Sequence, residues 1–395
     1  KIPLTSAELV KAMFLSQDNN SDMNRAKQEE ISLQWDNIEK ALQNNSLWYF
    51  ITNRSNAKYQ TRIDLVLDLI SGKPADNKEK YFTFFHFDAL RQKMNTSEIW
   101  KEIQHTFLIL KDWYEDHELY HKIGYLIASD TKSLQDIFTL SKREIEGNGI
   151  TKNEFKKVLD EYIKNSIAKS ANYSELNYEK TTDYAIINRL LLLFNVESVR
   201  QNGEQTEWFP FEKFKFHKTG KLSWSLEHIH AQQSEGMKKQ EEWKEWFRLH
   251  IPSIASLGDG NDELVEEMKN ACDKERLERQ EFEAIQQKAI QKLSAQGSAE
   301  YMHSIANLAL LSMSDNAALN NSTFDVKRNA IIEMDKKGQY IPFCTKMVFL
   351  KYYTPSVCNQ LHFWGQQDRI AYVSAINSTL KNYLIKEISI EKENE

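Results

Sequence analysis

Turn-forming residues are scarce in this chain. Its 395 residues include 12 Gly and 6 Pro, together about 5% of the chain where about 12% is usual. All-β sandwiches, barrels and propellers need a turn every few residues, so the shortage argues against them. No GxGxxG or GxxxxGKS/T occurs, which argues against Rossmann and P-loop folds. Cysteine is also rare. Cys272, Cys344 and Cys358 have no CxxC spacing, so they offer no zinc site and fit a reducing, cytoplasmic compartment. No apolar run approaches the ~18 residues of a membrane span. The longest, over Ile187–Phe194, is broken by Asn188 and Arg189 and reads as a buried helix. Neither charge sign dominates: 51 basic residues face 57 acidic ones, for a net charge of −6. A globally basic, nucleic-acid-coating surface is therefore absent, though a local basic face is not excluded. No signal-peptide pattern stands at the start. The chain opens at Lys1 rather than at a methionine, as expected of a fragment of a longer protein.

What remains is a mainly helical protein with ample apolar material, 41% of residues. At this length roughly two or three domains are expected. Thr5/Glu8, Ser133/Asp136 and Thr151/Glu154 have capping-box spacing and mark helix starts. Ile31, Trp35, Ile38 and Leu42 form a helical stripe, and similar stripes run through residues 62–70, 98–116, 118–128 and 152–167. Residues 1–200 thus read as a helical array without a fixed-period repeat. Within it Trp113, Tyr114 and Tyr120 read as core.

The pattern changes near residue 201. Residues 208–217 alternate aromatic and charged side chains over Phe214 and Phe216, which predicts a strand. Its lysines, Lys213, Lys215, Lys218 and Lys221 against Glu212 alone, form the wet side of a half-buried strand or, interleaved with aromatics, a single-strand stacking surface. A second short strand is predicted over 222–229 and another apolar one over 305–312, followed by a helix through Phe324 and Arg328. Between them, residues 262–295 lack Pro and mix both charge signs, and are expected to form one long solvent-lapped helix.

The residues that point to chemistry are Glu227-His228-Ile-His230-Ala-Gln232, then Asn307-Leu-Ala-Leu-Leu311, then Asp315-Asn316. Hydrolysis of a phosphodiester needs a base for water, a cation for the phosphate charge and a group that holds the base in its tautomer. A carboxylate–histidine pair at a strand end with an asparagine carbonyl can supply these, and a hard Mg²⁺ ion suits the oxygen ligands. One physical tension stands out. Neighbours on a regular strand face opposite ways, so Glu227 and His228 share a site only if the strand ends or twists there. His230 is expected on the face of His228.

This order resembles the HNH (His-Me finger) nuclease pattern, and more closely the C-terminal nuclease domain of GmrSD-type modification-dependent restriction enzymes. The motifs that carry the resemblance are His303-Ser-Ile-Ala-Asn-Leu-Ala-Leu-Leu311 and Asn316-Ala-Ala-Leu-Asn-Asn-Ser-Thr-Phe-Asp-Val-Lys327. Residues 112–127 look like a helical segment of the same proteins, and residues 1–11 like the end of their upstream ParB-like domain. Ala231 and Ala306 stand where relatives carry Pro and Gly. The resemblance implies a helical array over 1–200 that includes the end of the upstream domain. It implies a ββα-metal nuclease domain over 201–395 with a helical insertion at about 234–300. In its terms His228 is the general base, Asn307 orients it, and Glu227 and Asn316 hold Mg²⁺ or Mn²⁺. Lys327 and Asn321 fall in its helix motif as candidate phosphate contacts; Lys215 and Lys218 of the lysine row are further candidates, and His230 and His303 are auxiliary. The implied activity is metal-dependent DNA cleavage in defence against phage or modified DNA. The implied partners are DNA and an upstream nucleotide-hydrolysing domain; homo-oligomerisation is left open and no membrane is involved. The alternative is a helical DNA-binding or protein-interaction module with an inactive nuclease fold.

Overall fold

The structure is a computed structural model. It describes residues 4–16, 25–53, 59–145, 147–168, 173–215, 224–230, 237, 239–255, 257, 260–293, 301–312, 322–355 and 362–389. Helices dominate. In chain order they begin with α1 (Ser6–Leu15), α2 (Arg25–Leu42), α3 (Asn45–Ile51), α4 (Ile63–Ser71), α5 (Phe82–Arg91), α6 (Thr96–Glu115), α7 (His117–Ala128) and α8 (Leu134–Ser141). A two-residue ladder, β1 (Glu144–Ile145) and β2 (Asn148–Gly149), leads to α9 (Lys152–Ile167), α10 (Thr181–Gln201) and α11 (Phe211–Lys215). Then come β3 (Trp224–His228), α12 (Gln240–Ala255), α13 (Asp262–Asp273), α14 (Arg279–Leu293), β4 (Leu308–Ser312), α15 (Phe324–Lys336), α16 (Phe343–Phe349) and α17 (Gln366–Leu380). No helix among the described residues is long and apolar enough to cross a membrane.

The chain divides into two compact units. Residues 1–163 with 202–222 form one, and 164–201 with 223–395 form the other. This differs from a single break at residue 200. α10 packs with the β-containing half and α11 with the helical half. α10 packs on β3, β4, α16 and α17, and Leu190–Phe194 are buried on consecutive positions, so this half of the helix is enclosed on all sides.

In the first unit the helices follow local rules. Thr5 and Ser133 cap α1 and α8 with reciprocal bonds from Glu8 and Asp136. Glu154 N–H donates to Thr151 Oγ1 at 3.3 Å, and Thr151 N–H donates back to Glu154 at 2.9 Å. The predicted stripe is the buried face of α2: Ile31, Trp35, Ile38 and Leu42. Trp113 and Tyr120 are core, as expected. The segment expected as a strand is instead helical at α11. Phe211 and Phe214, three apart, are both buried, and at that spacing they share a helical face. Phe209 packs on Phe211 with ring centroids 4.8 Å apart. Gly124 of α7 makes room for this packing, because a Cβ there would lie 2.1 Å from the Phe211 ring.

In the second unit β3 and β4 pair antiparallel, with Glu227 opposite Ala309 and His228 opposite Leu308. Between them in sequence lie α12, α13 and α14. The expected single helix over 262–295 is two helices, separated where Lys274 turns extended with ψ 137°. They are not merely lapped by solvent. Met268, Phe282, Ile285, Ala289 and Leu293 join Trp243, Trp246 and Phe247 of α12 in a core of their own. Trp243 and Phe282 stack with centroids 5.3 Å apart.

Candidate functional site

The site is built where β3 ends, β4 begins and α15 starts. The turn over Ile305–Asn307 leads into β4. Asn307 spans the gap to the chain leaving β3. Its Oδ1 accepts from His230 N–H at 3.0 Å. Its Nδ2 donates to the carbonyls of His230 at 2.9 Å and Met302 at 3.0 Å. The Asn307 carbonyl accepts from Ile229 N–H at 2.8 Å. Asn307 therefore grips the backbone just after His228. This corrects the expectation that it bonds the imidazole: it fixes where the chain bearing His228 turns.

The strand alternates as geometry requires. Glu227 turns inward and His228 outward onto a cluster of rings. His228 Nε2 lies 3.3 Å from His303 Nδ1. The Tyr178 ring lies 4.7 Å from His228 and stacks on His303 at 6.2 Å. Tyr178 N–H donates to the His303 carbonyl at 3.0 Å, and Glu179 approaches His303 Nε2 at 3.6 Å. Burial first, then the charges of Lys327 and His303, lower the His228 imidazole to about 3. It is thus neutral at neutral pH, and in this environment it is a weak base. An anionic phosphate beside it would raise that value.

Glu227 meets Lys327 of α15. Lys327 Nζ donates to Glu227 Oε1 and, at 2.6 Å, to the His228 carbonyl. Glu227 is 1% exposed and Lys327 0%. Burial pushes the Glu227 carboxyl up and the Lys327 ammonium down, and the partner's charge opposes each shift. Lys327 is therefore a buried tie between β3 and α15 and does not reach a phosphate at the surface, contrary to expectation.

His230 departs from the expected face of His228. It is buried, and its Nδ1 accepts from Phe324 N–H at 3.2 Å. His250 of α12 does the same one residue earlier: its Nε2 accepts from Thr323 N–H at 3.1 Å, and its Nδ1 bonds the Trp246 carbonyl at 2.8 Å. A helix leaves its first N–H groups unpaired, and Thr323 gives α15 no side-chain cap. Two neutral imidazoles do that work instead. Burial holds both at about 3.

Of the other sequence candidates, Lys215 is enclosed in the first unit, where it is 5% exposed, so it is not a DNA contact. Its Nζ donates to the Phe50 carbonyl at 3.5 Å. Asn316, Asn321, Lys218 and Ala231 lie outside the described residues. Sequence reading passed over Tyr178, Glu179 and His250. Only His250 left a trace, in the i, i+4 spacing of Trp246 and His250, whose rings stack at 3.7 Å.

A divalent ion held by Glu227 does not fit this arrangement. The carboxylate is already engaged by an ammonium and faces away from His228. Among the described residues no three His, Cys, Asp or Glu side chains come together to hold a metal. Compared with protein-family models, with curated proteins and with solved structures, the chain matches none.

Proposed function

We propose that the chain is a phosphodiester hydrolase that cuts DNA, with His228 as the proton acceptor for the attacking water. The observation that carries this reading is the place of His228. It ends a strand paired to the one that starts after Asn307, and α15 follows in sequence. Strand, strand and helix about a histidine is the order expected of an HNH-type nuclease. The imidazole is neutral, and a bound phosphate anion would raise its basicity toward what taking a proton from water requires. His303, 3.3 Å from it, can share that proton, and Glu179 stands behind His303. Asn307 keeps the backbone after His228 from moving. No step runs through an ion on Glu227. The resemblance to GmrSD-type enzymes supplies the rest of the proposal: phage or modified DNA as substrate, an upstream nucleotide-hydrolysing domain as partner, and a role in defence.

The test is nicking of supercoiled plasmid and phage DNA by the wild-type chain and by His228→Ala, with Mg²⁺, with Mn²⁺ and with chelator. Loss of a general base costs on the order of 10²–10⁴-fold in rate, so the variant should leave the plasmid supercoiled. Equal nicking by both proteins overturns the reading.

A second reading has one observation in its favour. The ion pair between Glu227 and Lys327 engages the carboxylate that the nuclease pattern assigns to a metal. A DNA-binding or protein-interaction module with an inactive nuclease fold would keep this pair. It predicts shifted DNA bands in a gel but no nicking under any of the three conditions.

A further inference from the structure

We propose that Lys327 is the resident cation of this site: its ammonium occupies the Glu227 carboxylate, and that carboxylate does not hold a divalent ion. Three observations carry the proposal. The contact is direct, from Lys327 Nζ to Glu227 Oε1. The same ammonium is held a second time by the His228 carbonyl at 2.6 Å, so it is not a loosely placed side chain. Both residues are closed to water, at 0% and 1% exposure.

These facts work against Mg²⁺ or Mn²⁺ at Glu227 in two ways. Mg²⁺ takes about six oxygen ligands and keeps several of its waters. A carboxylate sealed from solvent leaves no room for that shell. A divalent ion entering beside Lys327 would also face the ammonium at close range in a low dielectric, where like charges repel strongly. For the ion to bind, Lys327 would have to swing out. It would give up its bond to the His228 carbonyl and leave an ammonium to be placed elsewhere in a packed helix face. A buried pair that loses one partner is strongly disfavoured, so the pair persists as a unit. A lysine at this position supplies one positive charge against one negative charge, with no exchangeable ion.

The inference concerns where a cation sits, and it stands whether or not the chain cuts DNA. Its test therefore reads metal, not cleavage. Crystals of the whole chain grown with Mn²⁺ are measured at a wavelength where manganese scatters anomalously. The expected map has Lys327 against Glu227 and no anomalous peak within coordination distance of that carboxylate. In solution, Mn²⁺ is titrated by electron paramagnetic resonance into the wild type and into the Glu227→Gln/Lys327→Met double variant, which replaces the pair by neutral groups of similar size. The two isotherms should agree within twofold. A manganese peak on Glu227, or a wild-type Mn²⁺ site that weakens tenfold or more in the folded double variant, overturns the proposal. If the double variant does not fold, the anomalous map of the wild type decides alone.

Discussion

Asn307 closes on both backbone polar groups of His230: its Oδ1 accepts from His230 N–H at 3.0 Å while its Nδ2 donates to His230 O at 2.9 Å. A carboxamide does both from one planar group, with a separate acceptor and donor atom. Leucine does neither, and an aspartate accepts but cannot donate. Because His230 and Asn307 are buried, the groups left unpaired would have no water to turn to. An unsatisfied buried group costs about 1–3 kcal/mol. Asn307→Ala is expected to lower the stability of the second unit by about 3 kcal/mol, and Asn307→Asp to give no rescue, since its carboxylate would face the carbonyls of His230 and Met302. Urea unfolding followed by tryptophan fluorescence checks both. An Asn307→Asp variant as stable as wild type would show that the donor half of the clamp carries no weight.

The histidines at the start of α15 predict an acid response. His250 is neutral in the fold, held at about 3 by burial, against 6.5 for a free imidazole. The unfolded chain binds a proton below 6.5 that the folded chain refuses until about 3. The stabilisation is therefore complete above pH 6.5 and is lost as pH falls toward 3. His230 behaves in the same way. Each such group steepens the loss by up to about 1.4 kcal/mol per pH unit. Thermal melts between pH 7 and 4 should show a steep fall in Tm for wild type. The fall should be shallower for His250→Gln, which keeps an acceptor near Thr323 and does not titrate. Parallel curves would remove His250 from the account.

Much of the helical half was legible because its signals are local. Ile31, Trp35, Ile38 and Leu42 lie at helical spacing, and they are the buried face of α2. The capping pairs Thr5/Glu8 and Ser133/Asp136 need only three residues to be read. Over residues 208–217 two periods overlap, and alternation predicts a strand where a helix forms at α11. Phe214 and Phe216 alternate, while Phe211 and Phe214 are three apart, and packing chose the second. Over residues 262–295 mixed charge predicts one wet helix, but Met268, Phe282, Ile285 and Ala289 are spaced to close a core with α12, and the segment forms two helices. At the site, the opposed directions of Glu227 and His228 follow from strand geometry and were readable. Partners distant in sequence were not. Lys327 meets Glu227 a hundred positions away, and Tyr178 reaches His228 from before α10. No local pattern announces either contact.

Lys215 gives the last prediction, and it opposes the view of that segment as a DNA-facing lysine row. The side chain is enclosed, its Nζ donates to the Phe50 carbonyl at 3.5 Å, and Phe211 lies under it at 5.2 Å. Burial lowers the ammonium to about 7, with Asp130 opposing the shift. An unfolded lysine stays protonated up to 10.5. Between those values folding must shed a proton, so the folded state gains stability as pH rises from 7 to 10.5 and loses it on the way down. Lys215→Met, which keeps the length and removes the titration, is expected to stabilise the chain at pH 7 by about 2–4 kcal/mol. The gap should close toward pH 10, as wild type recovers what burial of the charge had cost. Urea unfolding at the two pH values measures this directly. In a gel-shift assay the same variant should bind DNA as wild type does, because the enclosed ammonium has no phosphate to lose. A constant stability gap across pH would mean that Lys215 is not titrating in this window.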